Sequence, residues 1–393
     1  MIGQLAASMG MAPGDPAFWM PLLFTALLYA LIAGGVVLDG FDLGVGLLLR
    51  AAPSSQRARL MTLLSPWRDA NEFWLLLGAG LFAAAFPFAW GAVLGHLFLP
   101  LAVMTAGAVL RSVAFEFRLR SSMAMRPRWI AAFWLGSLAS ALAQGVVLGH
   151  IVTGYRGDAV YHLFAVFVGL CAVSAYALLG ATWLVMRVEG ALQALAVAWA
   201  RHAIRWAAAG MVAVSVALGL ANAGIFQKWT ALSDLRMAAA LWLAMLGCFV
   251  LIELLLARLP RPRYARLSAV PFLLTVLVFL LMLAGLAYSL FPYLILDDMT
   301  VWDGAAAVDS LRLVLAATVV AVPVLLVFNL LVYRSLFGKE KLPSYVAGAP
   351  ATSVSVAGIP AAGVPAAGGA AGYAGGASAS GSLTETSRPP ESA

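Results

Sequence analysis

The strongest constraint on this chain is a recurring run of about 20 apolar residues, each long enough to cross a roughly 30 Å hydrocarbon core as a helix. About nine such runs are read, near 20–38 (continuing to about 49), 73–93, 95–115, 130–153, 162–186, 205–225, 237–257, 268–290 and 312–333. Inside a bilayer every backbone amide needs a partner within the protein, so a spanning chain is either a helical bundle or a closed barrel. Runs this long lack the period-two alternation of barrel strands. The expected fold is an all-α integral membrane bundle of about nine transmembrane helices. Composition excludes an ordinary soluble enzyme, because 63% of the residues are hydrophobic and 10% charged, with a mean hydropathy of +0.96. A soluble domain carries roughly 25% charged residues.

The net charge of +7 would suggest a nucleic-acid partner in a soluble protein. Here the basic residues cluster between apolar runs and read as topology, with no nucleic acid expected. Arg50, Arg57, Arg59 and Arg68 follow the first run, and Arg111, Arg118, Arg120, Arg126 and Arg128 close the third. Arg187, Arg201 and Arg205 follow the fifth, Arg258, Arg261, Arg263 and Arg266 the seventh, and Arg334, Lys339, Lys341 and Arg388 the ninth. Only Arg156, Lys228, Arg236 and Arg312 fall on the other side of nine alternating spans. Cytoplasmic loops collect Lys and Arg, so the N-terminus is expected outside and the C-terminus in the cytoplasm.

Residues 1–19 read as an N-terminal leader, 20–338 as the membrane domain and 339–393 as a cytoplasmic tail. The segment before Pro16 has no Lys or Arg, unlike the start of a cleaved signal peptide, so the first run is expected to be retained. From Pro343 the chain turns to Ala, Gly, Ser and Pro, a composition expected to stay disordered because it buries too little apolar area. Cys171 and Cys248 sit inside apolar runs, without disulfide or metal-ligand spacing. No phosphate-binding loop, nucleophile elbow or HExxH motif is present.

Ionisable residues in or at the rim of a membrane bundle are costly and therefore functional candidates. Asp39 and Asp42, in LDGFDLGVG, lie three apart on one helical face. They can serve as a proton- or ion-handling pair, or as a boundary pair tied to nearby arginines. Gly34, Gly35, Gly40, Gly44 and Gly46 smooth the same helix for close packing. In SPWRDANEFW, Asp69 and Glu72 have the spacing of a helix-capping box; the functional alternative is proton uptake from the cytoplasm aided by Asn71. Trp74 reads as an interface anchor. Arg111, deepest of the group containing Glu116, Arg118 and Arg120, is the arginine best placed to meet a buried carboxylate. Glu253 wants a partner that the sequence does not name. No run carries His96, His150, His162 or His202 paired at haem spacing, and all four read mainly as interface or loop residues.

At these residues the sequence resembles subunit II of the cytochrome bd-type quinol oxidases, especially the cyanide-insensitive branch. The match rests on LDGFDLGVG (38–46), DANEFW (69–74), LFAAAFP (81–87), LRSVAFEFR (110–118) and AQGVVLG (143–149). It continues in order through YALLGATWLVMRVEG (176–190) and FPYLILDDMTVWDGAA (291–306). The resemblance implies a heterodimer in the bacterial inner membrane, with the N-terminus periplasmic. A related subunit I ligates haem b and haem d and oxidises quinol, and this chain ligates no haem. It implies membrane lipid around the complex, a structural quinone in some members and room for a small accessory subunit. By motif match Asp69 is the proton-path carboxylate, with Glu72, Asn71, Asp39 and Asp42 along the path and Arg111, Arg68 and Glu116 supporting it. Trp74 matches the tryptophan near the family's oxygen entrance. Two departures stand out: Arg68 replaces the family's tryptophan before the acid, which favours an ionised Asp69 if the two approach, and Leu296, Asp297 and Asp298 replace prolines after FPYLI.

The implied function is a subunit of a quinol:oxygen oxidoreductase, inactive by itself, that stabilises the haem subunit and contributes to proton uptake for reducing oxygen to water. Two rivals remain: a secondary transporter binding an ion at Asp39 and Asp42, which calls for broken helices near the midplane, and a purely structural partner subunit.

Overall fold

The computed structural model describes residues 6–66, 68–259 and 266–336. Trp67, Arg261, Arg263 and the tail expected at 339–393 lie outside the described residues. The elements are α1 (Pro16–Leu48), α2 (Ser54–Leu64), α3 (Arg68–Ala85), α4 (Pro87–Arg120), α5 (Arg126–Val152) and α6 (Ala159–Arg187). They continue with α7 (Ala191–Ala221), α8 (Ala223–Thr230), α9 (Leu232–Arg258), α10 (Val270–Leu290), β1 (Tyr293–Ile295), β2 (Met299–Thr300) and α11 (Val308–Leu336).

Among the described residues, eight helices are long and apolar enough to cross a membrane: α1, α4, α5, α6, α7, α9, α10 and α11. The run expected at 73–93 is divided. Its first part is α3, 18 residues whose first turns carry Arg68, Asp69 and Glu72. The chain breaks at Phe86, with φ −131 and ψ 60, and Pro87 opens α4, which runs on to Arg120. Proline suits the first helical turn because its missing N–H is not needed there. Two short helices, α2 and α8, fill connections, and the Asn222 side chain caps α8 by accepting from Ile225 N at 2.9 Å. The start of α1 is set the same way: Asp15 Oδ1 accepts from Ala17 N at 2.9 Å, and Pro16 follows it.

Helix α1 is central, packing on α3, α5, α6, α10 and α11. Its glycines permit close approach. A Cβ on Gly44 would lie 2.0 Å from the Tyr176 carbonyl oxygen of α6, and one on Gly34 would strike the Trp74 ring of α3. Gly107 of α4 and Gly136 of α5 meet in the same backbone-to-backbone manner. The core divides along α1. Its C-terminal half packs Phe41 on Trp183 and joins residues of α2, α5, α6, α7, α9 and α10. Its N-terminal half packs Met20, Phe24, Leu28 and Leu31 against Leu81, Phe86, Val301 and Leu311.

The connection after α10 is a small antiparallel β1–β2 hairpin. Asp297 takes φ +61 at its turn, a conformation that aspartate tolerates better than most residues, and Asn222 Nδ2 donates to its carboxylate. Leu296, Asp297 and Asp298 thus form a turn held to the α7–α8 junction.

Candidate functional site

The acids singled out on α1, α3 and α4 converge at one end of the bundle. Asp39 and Asp42 project from α1 one turn apart, and both are buried. Arg111 of α4, 1% exposed, donates to Asp39 through both terminal nitrogens, Nη2 to Oδ1 at 2.6 Å and Nη1 to Oδ2 at 3.3 Å. Such a pair offsets the desolvation of two charges only when its geometry is good, and a two-pronged contact provides that. Asn71 of α3, fully buried, donates Nδ2 to Asp42 Oδ2 at 2.9 Å, while Asp42 Oδ1 has no hydrogen-bond partner among the described residues. The α1 acids therefore have different companions: a guanidinium for Asp39 and a neutral amide for Asp42.

Glu72 joins this buried part to the surface. Its Oε1 lies 3.8 Å from Arg111 Nη2, accepts from Ser112 Oγ at 3.1 Å and lies 3.1 Å from Arg68 Nη1. Arg68 is itself buried, with its guanidinium stacked 4.6 Å above the Phe115 ring and donating to Ser112 Oγ at 3.0 Å. Its Nη2 meets Asp69 Oδ1 at 2.8 Å and Glu116 Oε1 at 3.8 Å. Asp69 is the outermost member, its side chain 74% exposed. Polar side chains thus run from exposed Asp69 through Arg68, Glu72 and Ser112 to Arg111 and Asp39, with Asn71 and Asp42 alongside. Glu72 turns toward Arg68 and Ser112, across to α4, instead of closing a capping box.

Trp74 stands apart from the charges. Its ring covers Gly34, and its Nε1 donates to Asn329 Oδ1 of α11 at 3.2 Å. Ser112 and Asn329 were not among the sequence candidates. Single polar residues in apolar helices carry no spacing signal, although Ser112 adjoins Arg111. Glu253 finds its partner in Arg201 of α7, with Nε 3.0 Å from Oε1. At the opposite end of α5 and α6, the His150 and His162 rings meet edge-on with centroids 5.1 Å apart, and His96 packs on Tyr155. Burial there raises the Tyr155 phenol to about 12. Among the described residues no three His, Cys, Asp or Glu side chains come together as a metal site.

A cavity of about 590 Å³ lies between α1, α3, α4, α5, α6 and α10. Its walls are mainly aliphatic and aromatic, including Leu28, Ile32, Phe82, Val93 and Leu283. Tyr29, Gln144 and Tyr176 supply polar groups, and the Tyr176 hydroxyl donates to Gln144 Oε1.

A multi-pass helical bundle with a buried charge network at one end describes an integral membrane protein and not a soluble catalyst. The comparisons specify which. The family model described as cytochrome bd terminal oxidase subunit II matches residues 20–336, and the chain belongs to that family. It is 25% identical over 358 residues to the cytochrome bd-I ubiquinol oxidase subunit 2 of Escherichia coli (strain K12), covering 80% of this chain and 93% of that one. The cytochrome bd ubiquinol oxidase subunit 2 of Bacillus subtilis (strain 168) is 33% identical over 146 residues, 36% of this chain and 43% of that one. A chain of the bd oxidase structure from Geobacillus thermodenitrificans superposes with a TM-score of 0.62 at 18% identity, covering 81% of this chain and 99% of that one, which shows a shared fold. The protein is accordingly a multi-pass protein of the bacterial inner membrane in a respiratory quinol oxidase family.

Proposed function

We propose that the chain is the non-haem-ligating second subunit of a bd-type quinol:oxygen oxidoreductase, stabilising a haem-bearing partner and contributing to proton uptake from the cytoplasm. In this reading α3 is the ninth span, the N-terminus is periplasmic and the C-terminus cytoplasmic. The basic clusters at the ends of α1, α4, α6, α9 and α11 then share the cytoplasmic side with Asp69. Haem b and haem d, held by the partner, supply the redox chemistry. This chain's residues hold and pass protons toward the subunit boundary.

The observation that carries the proposal is the row of polar side chains from exposed Asp69 to buried Asp39, with the Asn71–Asp42 pair alongside. Asp69 takes a proton from the cytoplasm; Glu72, Ser112, Asn71 and the α1 acids lie behind it. Arg111 and Arg68 keep the acids compact, and Glu116 adds a second acid beside Arg68. Trp74, between α1, α3 and α11, is the oxygen entrance. The cavity fits a structural quinone, its apolar walls suiting an isoprenoid chain and Tyr29, Gln144 and Tyr176 a polar head.

Arg68 favours a second reading. A buried cation within the row opposes proton passage, as a purely structural partner subunit would permit. The transporter reading loses support, because α1 runs unbroken past Asp39 and Asp42. Replacing Asp69 with Asn in the complex separates the first two. A fall in oxygen consumption at unchanged haem content supports proton uptake, and an unchanged rate leaves the structural role.

A further inference from the structure

The turn between α4 and α5, residues 121–125, gathers more positive charge than the described residues neutralise. Arg118 and Arg120 end α4, and Arg126 and Arg128 begin α5. The acid beside them is Glu116, 3.9 Å from Arg120 and already within 3.8 Å of Arg68. Arg118 is 6% exposed, and its charge is opposed by that of Arg126. Its Nη1 reaches the Ala58 carbonyl at 3.3 Å, but its Nε has no hydrogen-bond partner among the described residues. Arg120, Arg126 and Arg128 are exposed.

The surroundings are apolar. Phe117, 49% exposed, packs on Trp129 with centroids 5.2 Å apart, and Leu119 and Met123 are exposed beside the arginines. Aromatic side chains directly below arginines mark the level at which acyl chains give way to headgroups. We infer that this turn binds the phosphate of an anionic phospholipid headgroup, with the exposed Arg120, Arg126 and Arg128 around the phosphate, buried Arg118 adding its charge from beneath, and Phe117 and Trp129 against the acyl chains. Guanidinium groups match phosphate oxygens with paired donors, and clustered arginines at a helix end are a recurrent headgroup site. The inference needs a membrane-spanning chain but not the proton-uptake role.

The test uses the membrane complex containing this chain, delipidated and then offered phosphatidylglycerol or phosphatidylethanolamine, with bound lipid counted by native mass spectrometry. Wild type should retain phosphatidylglycerol in preference. Arg126→Gln/Arg128→Gln should weaken that retention by roughly fivefold per arginine removed. Arg126→Lys/Arg128→Lys should keep most of it, and Arg156→Gln, at the other end, should keep all of it. Equal retention by the Gln variant, an equal loss in Arg156→Gln, or displacement of the lipid by inorganic phosphate would overturn the inference. If the Gln variant does not assemble, wild type decides: in nanodiscs phosphatidylglycerol should slow trypsin cleavage after Arg120 and Arg128 relative to phosphatidylcholine alone, and equal rates would refute the site.

Discussion

Arg111 and Asp39 form a two-pronged ion pair between α4 and α1, with Nη2 2.6 Å from Oδ1 and the arginine 1% exposed. Both helices have their main packing elsewhere, α1 on α3 and α6 and α4 on α5. The pair therefore acts as a charged strut across the face that holds Glu72 and Asn71, and it sets how far the polar row can reach into the bundle.

Breaking that strut from one side strands a charge. Arg111→Gln leaves Asp39 buried without its cation, which costs about 3–5 kcal/mol for a buried pair. Asp39→Asn strands Arg111 in the same way. The double variant removes both charges and should melt above the sum of the two losses. A thermal melt of the purified complex for all four members of the cycle measures the coupling, and simple additivity would mean the two residues do not interact.

Asn71 tests the second α1 acid. Its amide gives Asp42 a donor in a fully buried setting, so Asn71→Ala leaves a carboxyl with neither oxygen bonded. Such an unsatisfied group costs about 1–3 kcal/mol, whereas removing both partners is closer to neutral. Asn71→Ala should therefore melt below wild type, and Asp42→Ala/Asn71→Ala should recover part of the loss.

The long helices were legible because their information is local. The first run, expected from 20 to about 49, is a helix over Pro16–Leu48, since apolar length is written directly in the chain. The break at Phe86 was not legible, because Ala-Phe-Pro-Phe reads as continuous apolar sequence and the stop lies in backbone angles beside Pro87. Charges were located as candidates but not paired. Asp39 and Arg111 are 72 positions apart and Arg201 and Glu253 are 52 apart, so only packing brings them together. Arg68 was expected to act on Asp69 and support the path, but its contacts with Glu72, Ser112 and the Phe115 ring come only from packing.

The connection before α11 carries a pH-sensitive contact. Asp303 Oδ2 accepts from the Thr300 hydroxyl and from Thr300 N at 3.1 Å, and these bonds hold its carboxyl below the usual value. A depressed folded-state value means the stabilisation is fully present above the unfolded value of about 3.9 and is lost as pH falls through the folded one. Limited proteolysis of the 291–306 segment should find Asp303→Asn cut faster than wild type near pH 5, with the difference shrinking as pH falls below about 3.9. A difference that persists at the lower pH would assign the protection to packing instead of the carboxylate.

Gly44 should be the least replaceable glycine of α1. A Cβ there would lie 2.0 Å from Tyr176 O, 2.7 Å from Gly180 N and 2.8 Å from Gly180 Cα, all of them backbone atoms that no rotamer change can move. Gly44→Ala must push α1 from α6, and forced overpacking costs about 1–3 kcal/mol or more. The displacement starts a short way along α1 from Asp42, so the Asn71 and Arg111 contacts should loosen with it. Gly78 of α3 is the control, since an added Cβ would meet Leu31 Cβ at 3.7 Å, an ordinary contact. In that helix interior Gly78→Ala should gain up to about 1 kcal/mol from helix propensity. Thermal melts of the two variants should move in opposite directions, and a Gly44→Ala complex as stable as wild type would show that α1 and α6 do not cross backbone to backbone.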